Sequence, residues 1–562
     1  MEISPIELEV VKNALVSIAE EMGVVLVRAA QSTNIKERRD CSSAIFDRQG
    51  VTIAQAEHVP MHLGSMLGII SAILERYPLD QIHPGDMFIT NDPYSGGGTH
   101  LPDITVAAPV FYQNEPIAFV VNIAHHSDVG GRVAGSDSGD CTSVFEEGLR
   151  VPLVKVLDRG TTLDDVLAFV TLNSRTPEER LADLQAQVAA NRVGIQRLQE
   201  LAAKLGKDFL TAACQALLAH AERKIREAVR QIPDGTYTFE DYMDDDGRGM
   251  VKIPIRVTIT VQGDDIHLDF AGSGPQARGG INLVWPALQA SVYYAVKAIL
   301  DPTIPPNGGY FNAVRITAPT GTITNALPPA ATAGRSDTAQ RVADVIFGAL
   351  ASVVPERVVA GCNGAVTTSM FSGLDPERGR HYAYLESQGG GMGARHDRDG
   401  LDGVQVHMTN TSNLPVEALE NEYPLMVDRL ELIPDSGGRG KFRGGLAIRK
   451  DIRVIHHTCT FATHADRQHL PPWGLYGGEP GWCGRFVIVR AATGKPEVLP
   501  TGKVSEIELL NGDVISIQTP GAGGWGSVAE RPRHLLERDL RQGKITPGWA
   551  AGDQTPRGET VG

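Results

Sequence analysis

Residues 87–126 read MFITNDPYSGGGTHLPDITVAAPVFYQNEPIAFVVNIAHH, and the rhythm of this stretch decides the fold of the first half of the chain. The turn His83-Pro84-Gly85-Asp86 feeds an apolar strand, Met87–Thr90. That strand stops at Asn91-Asp92-Pro93 and the run Gly96-Gly97-Gly98, so a loop must follow. Two β-branched-rich segments come next, Ile104–Phe111 and Ile117–Ile123, joined by Gln113-Asn114-Glu115-Pro116 as a hairpin. The second segment runs directly into His125-His126.

Upstream, Ser4-Pro5-Ile6-Glu7 reads as a capping box, with Ser4 as N-cap and Pro5 at the first helical position. Apolar residues at near-helical spacing carry that helix to about residue 33, and a strand pair follows, Ser43–Phe46 and Val51–Ala54. Asp40 falls just before this edge, and a short helix near 64–77 completes the segment. Downstream, VGGRVAGSDSGDC (129–141) lies in a stretch, 127–142, too polar to pack by itself, which reads as a long loop able to act as a lid. Residues 161–231 turn helical, with Leu184, Val188, Val193, Ile195, Leu198 and Leu201 spaced for one buried face, until Pro233-Asp234-Gly235.

Beyond that turn, strands are expected at Tyr237–Tyr242, Ile253–Val261, Ile266–Phe270, Ala313–Thr317, Ile452–Phe461 and Phe486–Arg490, with helices near 286–300 and 337–352. The expected fold class is therefore α+β with more than one domain. Residues 1–233 form an N-terminal mixed α/β domain that includes the helical segment 161–231, residues 234–545 a strand-rich domain, and 546–562 a disordered tail. No period of 20 to 50 residues recurs, which excludes a solenoid.

Composition narrows the function classes. The chain has 562 residues, 42% hydrophobic and 21% charged, enough for two or three cores. A net charge of -15, with basic residues scattered instead of gathered in a stripe, argues against a nucleic-acid partner. The six cysteines include no CxxC pair, which points away from a disulfide framework or a thiolate zinc knot. The start MEISPIELEV lacks the features of a signal peptide, and no run approaches the roughly 20 apolar residues that span a bilayer. A cytoplasmic protein with no membrane partner is expected.

The chemistry concentrates between residues 40 and 126, in Asp40, His58, His62, Asp92, His100, Asp103, His125 and His126. His100-Leu101-Pro102-Asp103 sets two metal ligands three residues apart on a backbone stiffened by Pro102. The hairpin returns His125 toward the same point. Successive strand residues face opposite sides, so His125 and His126 cannot both be ligands. Two histidines, an aspartate and a further carboxylate would suit Zn²⁺, Mn²⁺ or Fe²⁺ with a position open to water. The plainer reading is a polar loop beside packed histidines, and His58 and His62, four apart at a helix start, read as capping or packing residues in preference to helical ligands. The glycine runs at 96–98, 389–391 and 521–526 lack the GxxxxGK[ST] pattern and read as tight turns. Cys41, next to Asp40, reads as a buried thiol.

The chain also resembles the hydantoinase B family, which includes N-methylhydantoinase, caprolactamase and 5-oxoprolinase portions and the alpha subunits of acetone-type carboxylases. The resemblance runs in order through IKERRDCSSAIFD, NDPYSGGGTHLPD, NIAHHSDVGG, DLQAQVAANRVG, ESQGGGMGAR, TNTSNLPVEALE, DSGGRGKFRGG and TPGAGGWG. It implies that His100, Asp103 and His125 hold a metal, with Asp40 as a fourth ligand, and that Asp40 or His126 relays a proton. It further implies a hydantoinase A-type partner that uses ATP and Mg²⁺ to phosphorylate the amide oxygen, in a hetero-oligomer of two plus two chains. This chain would then hydrolyse the activated cyclic amide: a hydantoin, 5-oxoproline or a larger lactam. A carboxylase subunit of the acetone type is the alternative, which the length of this chain disfavours, and a non-catalytic scaffold for the ATP-using partner is a third.

Overall fold

A computed structural model describes residues 3–56 and 58–552. Helix α1 (Pro5–Ala29) begins with the expected capping box, Ser4 accepting from the Glu7 N–H and Glu7 accepting from the Ser4 N–H at 2.9 Å. It ends at Ala29, a turn earlier than its apolar spacing suggests.

Seven strands follow in one antiparallel sheet: β1 (Cys41–Asp47), β2 (Thr52–Gln55), β3 (Met87–Thr90), β4 (Asp103–Tyr112), β5 (Glu115–His125), β6 (Val154–Asp158) and β7 (Thr161–Thr162), in the order β2-β1-β5-β4-β3-β6-β7. Side chains alternate across a strand, so a sheet covered on both sides needs apolar residues at every position. That explains the near-continuous apolar runs of β4 and β5. Ile104, Val106, Ala108, Val120 and Ala124 face a core shared with α1 and two later helices, α3 (Pro177–Leu205) and α4 (Lys207–Val229). Ala107, Phe119, Val121 and Ile123 face the opposite core, under α2 (Ile69–Arg76).

Buried amides bolt α3 to the sheet. Gln187 Nε2 donates to the Ile104 carbonyl at 2.8 Å, Asn191 Nδ2 to the Val106 carbonyl at 3.0 Å, and Asn122 Nδ2 to the Gln187 carbonyl at 2.8 Å. Each satisfies polar groups that would otherwise be stranded in an apolar layer.

After Pro233 the chain builds a four-stranded sheet from β8 (Gly235–Asp245), β9 (Val251–Gln262), β10 (Asp265–Asp269) and β11 (Val314–Thr317). Against it pack α5 (Trp285–Leu300) and α6 (Arg335–Leu350), the latter buried on nearly every side. Two further sheets complete the described residues. One contains β12 (Thr368–Asp375), β13 (Arg380–Ser387), β16 (Cys459–His464) and β19 (Val504–Leu509). The other contains β14 (Leu425–Leu432), β15 (Ile448–Val454), β17 (Arg485–Val489), β18 (Pro496–Val498) and β20 (Val514–Gln518). The fold is thus mixed, multi-sheet and multi-domain. Among the described residues no helix is long and apolar enough to cross a membrane.

Three expectations change. The single strand Ile452–Phe461 is two, β15 and β16, which belong to different sheets. His456, at φ 60°, turns the chain between them. The tail expected from 546 is structured as far as 552: Thr546 caps a turn of helix, Pro547–Ala551, and buries Trp549. The rest of it lies outside the described residues. The later glycine runs are sites of close backbone approach more than turns. A Cβ on Gly390 would lie 2.8 Å from the Asn363 Cβ and closer still to the Pro520 carbonyl, and Gly391 and Gly523 are crowded in the same way by main chain.

Candidate metal centre

The register of the sheet sets three site residues in a row. Asp103 and His125 are cross-strand partners at the end of the β4–β5 pair, so both point to one face. Next to them the His125 N–H donates to the Asp40 carbonyl at 3.0 Å, just where β1 begins. Alternation turns His126 the other way, onto α3, with Nε2 3.0 Å from Gln187 Oε1. Of the neighbouring histidines, only His125 shares the cluster.

His100 reaches the same point from the loop before β4. Gly98 makes that loop possible, since its φ of 138° and the Asp103 carbonyl, 3.0 Å from where a Cβ would sit, leave no room for a side chain. His100 Nδ1 donates to the Ala333 carbonyl at 3.1 Å, which turns Nε2 toward the β4 end. Nε2 lies 3.3 Å from Asp103 Oδ1, and His62 Nε2 lies 3.7 Å from the same oxygen. The other oxygen, Oδ2, accepts from Arg335 at 2.8 Å and from Thr99 Oγ1 at 3.3 Å. His58 lies elsewhere, against Gly23 of α1.

The loop 127–142 adds an unforeseen member. Donor atoms of His100, His125 and Asp137 all lie within 4.8 Å of one another, with His100 Nδ1 3.8 Å and His125 Nε2 3.9 Å from the Asp137 carboxylate. Behind Asp137 stands His464, at the end of β16, held between two carboxylates: Nε2 is 3.2 Å from Asp137 and Nδ1 3.1 Å from Asp337 of α6. Asp137 and Asp337 lay within the reach of sequence reasoning only as members of a polar loop and of a helix start. His464, more than 300 residues from the hairpin, gave no local signal.

Burial and charge prepare these groups for a cation. Burial pushes the His125 imidazole down to about 4, against the pull of Asp40, so it is neutral at pH 7. Burial works against a charged Asp103, but His100 and Arg335 outweigh it and hold the carboxyl well below the ordinary range. For His464 burial opposes the imidazolium, yet Asp137 and Asp337 raise it to about 10.

Three buried atoms of this cluster, His100 Nε2, Asp103 Oδ1 and Asp137 Oδ1, have no hydrogen-bond partner. Leaving one buried polar atom unsatisfied costs about 1–3 kcal/mol. Three in one place is a large cost to leave unanswered, and a divalent cation would use several at once. The donor chemistry, imidazole nitrogen with carboxylate oxygen, fits such an ion. The Asp40 carboxylate stands beside His125 and acts on it electrostatically, outside the tightest donor group.

A supporting shell surrounds the cluster. Glu147, fully buried, accepts from the Thr332 and Ala333 N–H groups at 2.7 Å each, fixing the carbonyl that orients His100. Burial pushes Glu147 up to about 8 despite those two bonds. Cys41 is a fully buried thiol, raised first by burial and then by Asp40, as its neighbourhood in sequence suggests.

Residues 4–528 match the family model described as hydantoinase B/oxoprolinase. An uncharacterized protein of Methanocaldococcus jannaschii is 39% identical over 545 residues, covering 96% of this chain and 94% of that one. The caprolactamase subunit beta of Pseudomonas jessenii is 30% identical over 557 residues, 97% of this chain and 94% of the relative. Among solved structures, the ATP-dependent caprolactamase from Pseudomonas jessenii superposes with a TM-score of 0.90 at 28% identity, over 97% of this chain and 95% of that one. A nucleotide-free acetone carboxylase gives 0.88 at 19% identity, over 98% and 79%, and shares the fold. With a family model spanning nearly its whole length and relatives aligned end to end, the chain belongs to the hydantoinase B/oxoprolinase family.

Proposed function

We propose that this chain is the hydrolytic subunit of a cytoplasmic, ATP-dependent enzyme that opens cyclic amides, acting on a substrate phosphorylated by a hydantoinase A-type partner. The observation that carries the reading is the set of buried, unpartnered donor atoms on His100, Asp103 and Asp137 beside His125. His100, Asp103, His125 and Asp137 would hold a divalent ion (Zn²⁺, Mn²⁺ or Fe²⁺), with Asp40 at the edge of that shell. An ion in such a setting acts as a Lewis acid and makes water a competent nucleophile near neutral pH.

The protein's own groups do the rest. An unactivated amide resists attack because its carbonyl is resonance-stabilised, whereas an O-phosphorylated imidate is electrophilic: water adds to its carbon, the C–N bond breaks with the ring nitrogen leaving as a protonated amine, and the acyl phosphate that remains loses phosphate to a second water. The partner's ATP and Mg²⁺ supply that activation. His100 and His125 orient the attacking face, and the Asp40 carboxylate, at the rim, accepts the proton that water loses. His464, held cationic by two carboxylates, opposes the negative charge that develops on the oxygen added to the attacked carbon. His126, bonded to Gln187, positions the end of β5 instead of relaying protons. Nearly all of the cluster is shut from solvent; the small exposure that remains is at His125 and Asp137, 5% and 4%. Movement of the 127–142 loop would admit substrate.

The test is to co-express the chain with an A-type partner and screen ATP turnover over hydantoins, 5-oxoproline and lactams, with elemental analysis of the complex. Ring opening that disappears in His100→Ala and His125→Ala, with the partner still bound, supports the proposal. Retained turnover in both variants rejects it. The shared fold of acetone carboxylase motivates a second reading, carboxylation of an enol phosphate at the same residues. Turnover that requires bicarbonate and a ketone would establish that reading and exclude hydrolysis.

A further inference from the structure

A second buried donor set lies in the C-terminal half, apart from the cluster described above. Asp344 of α6, Cys362 and His407 each present a ligand atom, all within 4.8 Å of one another, and all three residues are buried. His407 Nε2 lies 3.1 Å from Asp344 Oδ1. Tetrahedral zinc sites, with bonds of about 2.0–2.3 Å, set their ligand atoms roughly 3.3–3.8 Å apart, so this group needs only small shifts to close on an ion. One sulfur, one imidazole nitrogen and one carboxylate oxygen form a set that suits a borderline-soft divalent ion and not Mg²⁺ or Ca²⁺.

The surroundings support ligation. Tyr294 Oη stands 3.4 Å from His407 Nδ1 and fixes the ring so that Nε2 faces the group. The Gly393 N–H donates to Cys362 Sγ at 3.3 Å, a contact that favours thiolate, and the Cys362 N–H donates to Asp344 Oδ1 at 3.3 Å. Arg467 donates to the other Asp344 oxygen at 3.2 Å, so the added negative charge of a thiolate is balanced nearby. Cys362 Sγ donates to the Ala360 carbonyl at 3.8 Å, a long contact that ligation of the sulfur would replace. His407 adopts φ 47°, a left-handed conformation that a non-glycine residue keeps only when its surroundings enforce it. A cysteine nucleophile is the competing use of such a triad, but Cys362 has no exposed surface and packs in the largest apolar core.

We propose that Asp344, Cys362 and His407 hold a second divalent cation of the zinc class, which clamps α6 to the two loops that follow it. The clamp matters to the first cluster because α6 carries Arg335 and Asp337 at its other end, bonded to Asp103 and His464.

Cobalt distinguishes the two sites, because a thiolate ligand gives Co²⁺ an intense near-ultraviolet charge-transfer band and the first cluster has no thiol donor. The full chain, stripped of co-purified metal and titrated with Co²⁺, is expected to take two equivalents and show that band. His100→Ala should lose one equivalent and keep the band, whereas Cys362→Ser should lose the other equivalent together with the band. Cobalt-loaded wild-type protein without the band overturns the proposal, as does a band that survives in Cys362→Ser. The wild-type and His100→Ala spectra decide the matter even if the cysteine variant does not fold, and neither depends on ring-opening activity.

Discussion

Two neighbouring regions of the interior are both buried and both rich in ionisable groups, yet they pair those groups differently. In the lattice formed by Asp241, Arg341, Asp466, Arg467 and Lys503, each carboxylate meets a cation. Asp466 lies 2.8 Å from Arg341 and 2.7 Å from Lys503, and Asp241 lies 2.7 Å from Arg467. Around His100, by contrast, ring nitrogens and carboxylate oxygens with no hydrogen-bond partner gather at one point, His100 Nε2 3.3 Å from Asp103 Oδ1. Closed pairs hold a fold together; converging unpartnered donors suit a cation. The contrast predicts that substitutions in the two regions will separate stability from activity.

The sharpest break comes from His100→Ala. It removes one donor of the open cluster and, of its hydrogen bonds, the one to the Ala333 carbonyl, so turnover with the partner subunit should fall about 10³-fold or more while the unfolding midpoint shifts little. A steady-state assay beside a urea titration checks both halves, and a large loss of stability would show that His100 is structural.

Asp466→Asn should do the reverse. It leaves Arg341 and the fully buried Lys503 ammonium without their shared carboxylate, and breaking a buried pair in this way costs about 3–5 kcal/mol. Equilibrium unfolding should register that loss, with turnover per folded molecule little changed. A loss below about 1 kcal/mol would mean that the lattice is more hydrated than its burial implies.

The same contrast explains what could be read before the structure. His100, Asp103 and His125 were legible because a hairpin makes ligands near in sequence near in space, and strand alternation separates His125 from His126 by rule. The capping box at Ser4 and the helices after 161 were legible for the same local reason. Asp137 was half legible, since a polar loop leaving directly from His125 can return to it. His464 and Arg335 could not be found this way. They arrive from other sheets and helices, and nothing in the residues beside them records which surface they will meet. The division of 452–461 into two sheets was hidden too, because His456 takes a left-handed turn that its residue type does not announce.

Glu147 tests the shell between the two regions. Its carboxyl is raised from 4.5 to about 8, chiefly by burial, so the folded protein binds a proton that the unfolded chain has released between those values. Its contribution to stability is therefore complete below about pH 4.5 and is lost as the pH rises through 8. Glu147→Gln keeps an acceptor for the Thr332 and Ala333 N–H groups but cannot ionise. Its stability should exceed that of the wild type at pH 9 by on the order of 3 kcal/mol, with the gap closing by pH 5. Parallel unfolding curves at the two pH values would show that the carboxyl titrates normally and that water reaches it.

Arg335→Lys is the mildest probe and bears most directly on whether the open cluster is tuned by its surroundings. The guanidinium donates to Asp103 Oδ2 from one nitrogen and to Thr99 Oγ1 from another, 2.8 and 2.9 Å away, which turns the remaining oxygen, Oδ1, toward His100. An ammonium keeps the charge but cannot span both partners, so Asp103 gains freedom to rotate away from His100. Loss of one orienting contact of this kind weakens metal binding by about 10-fold to 100-fold. Chelator competition should find that drop in Arg335→Lys, while the Asp466 lattice, and with it the urea midpoint, stays unchanged. Equal affinity in variant and wild type would mean that the hairpin register alone aims Asp103, and that α6 contributes position to the rest of the cluster but none to this ligand.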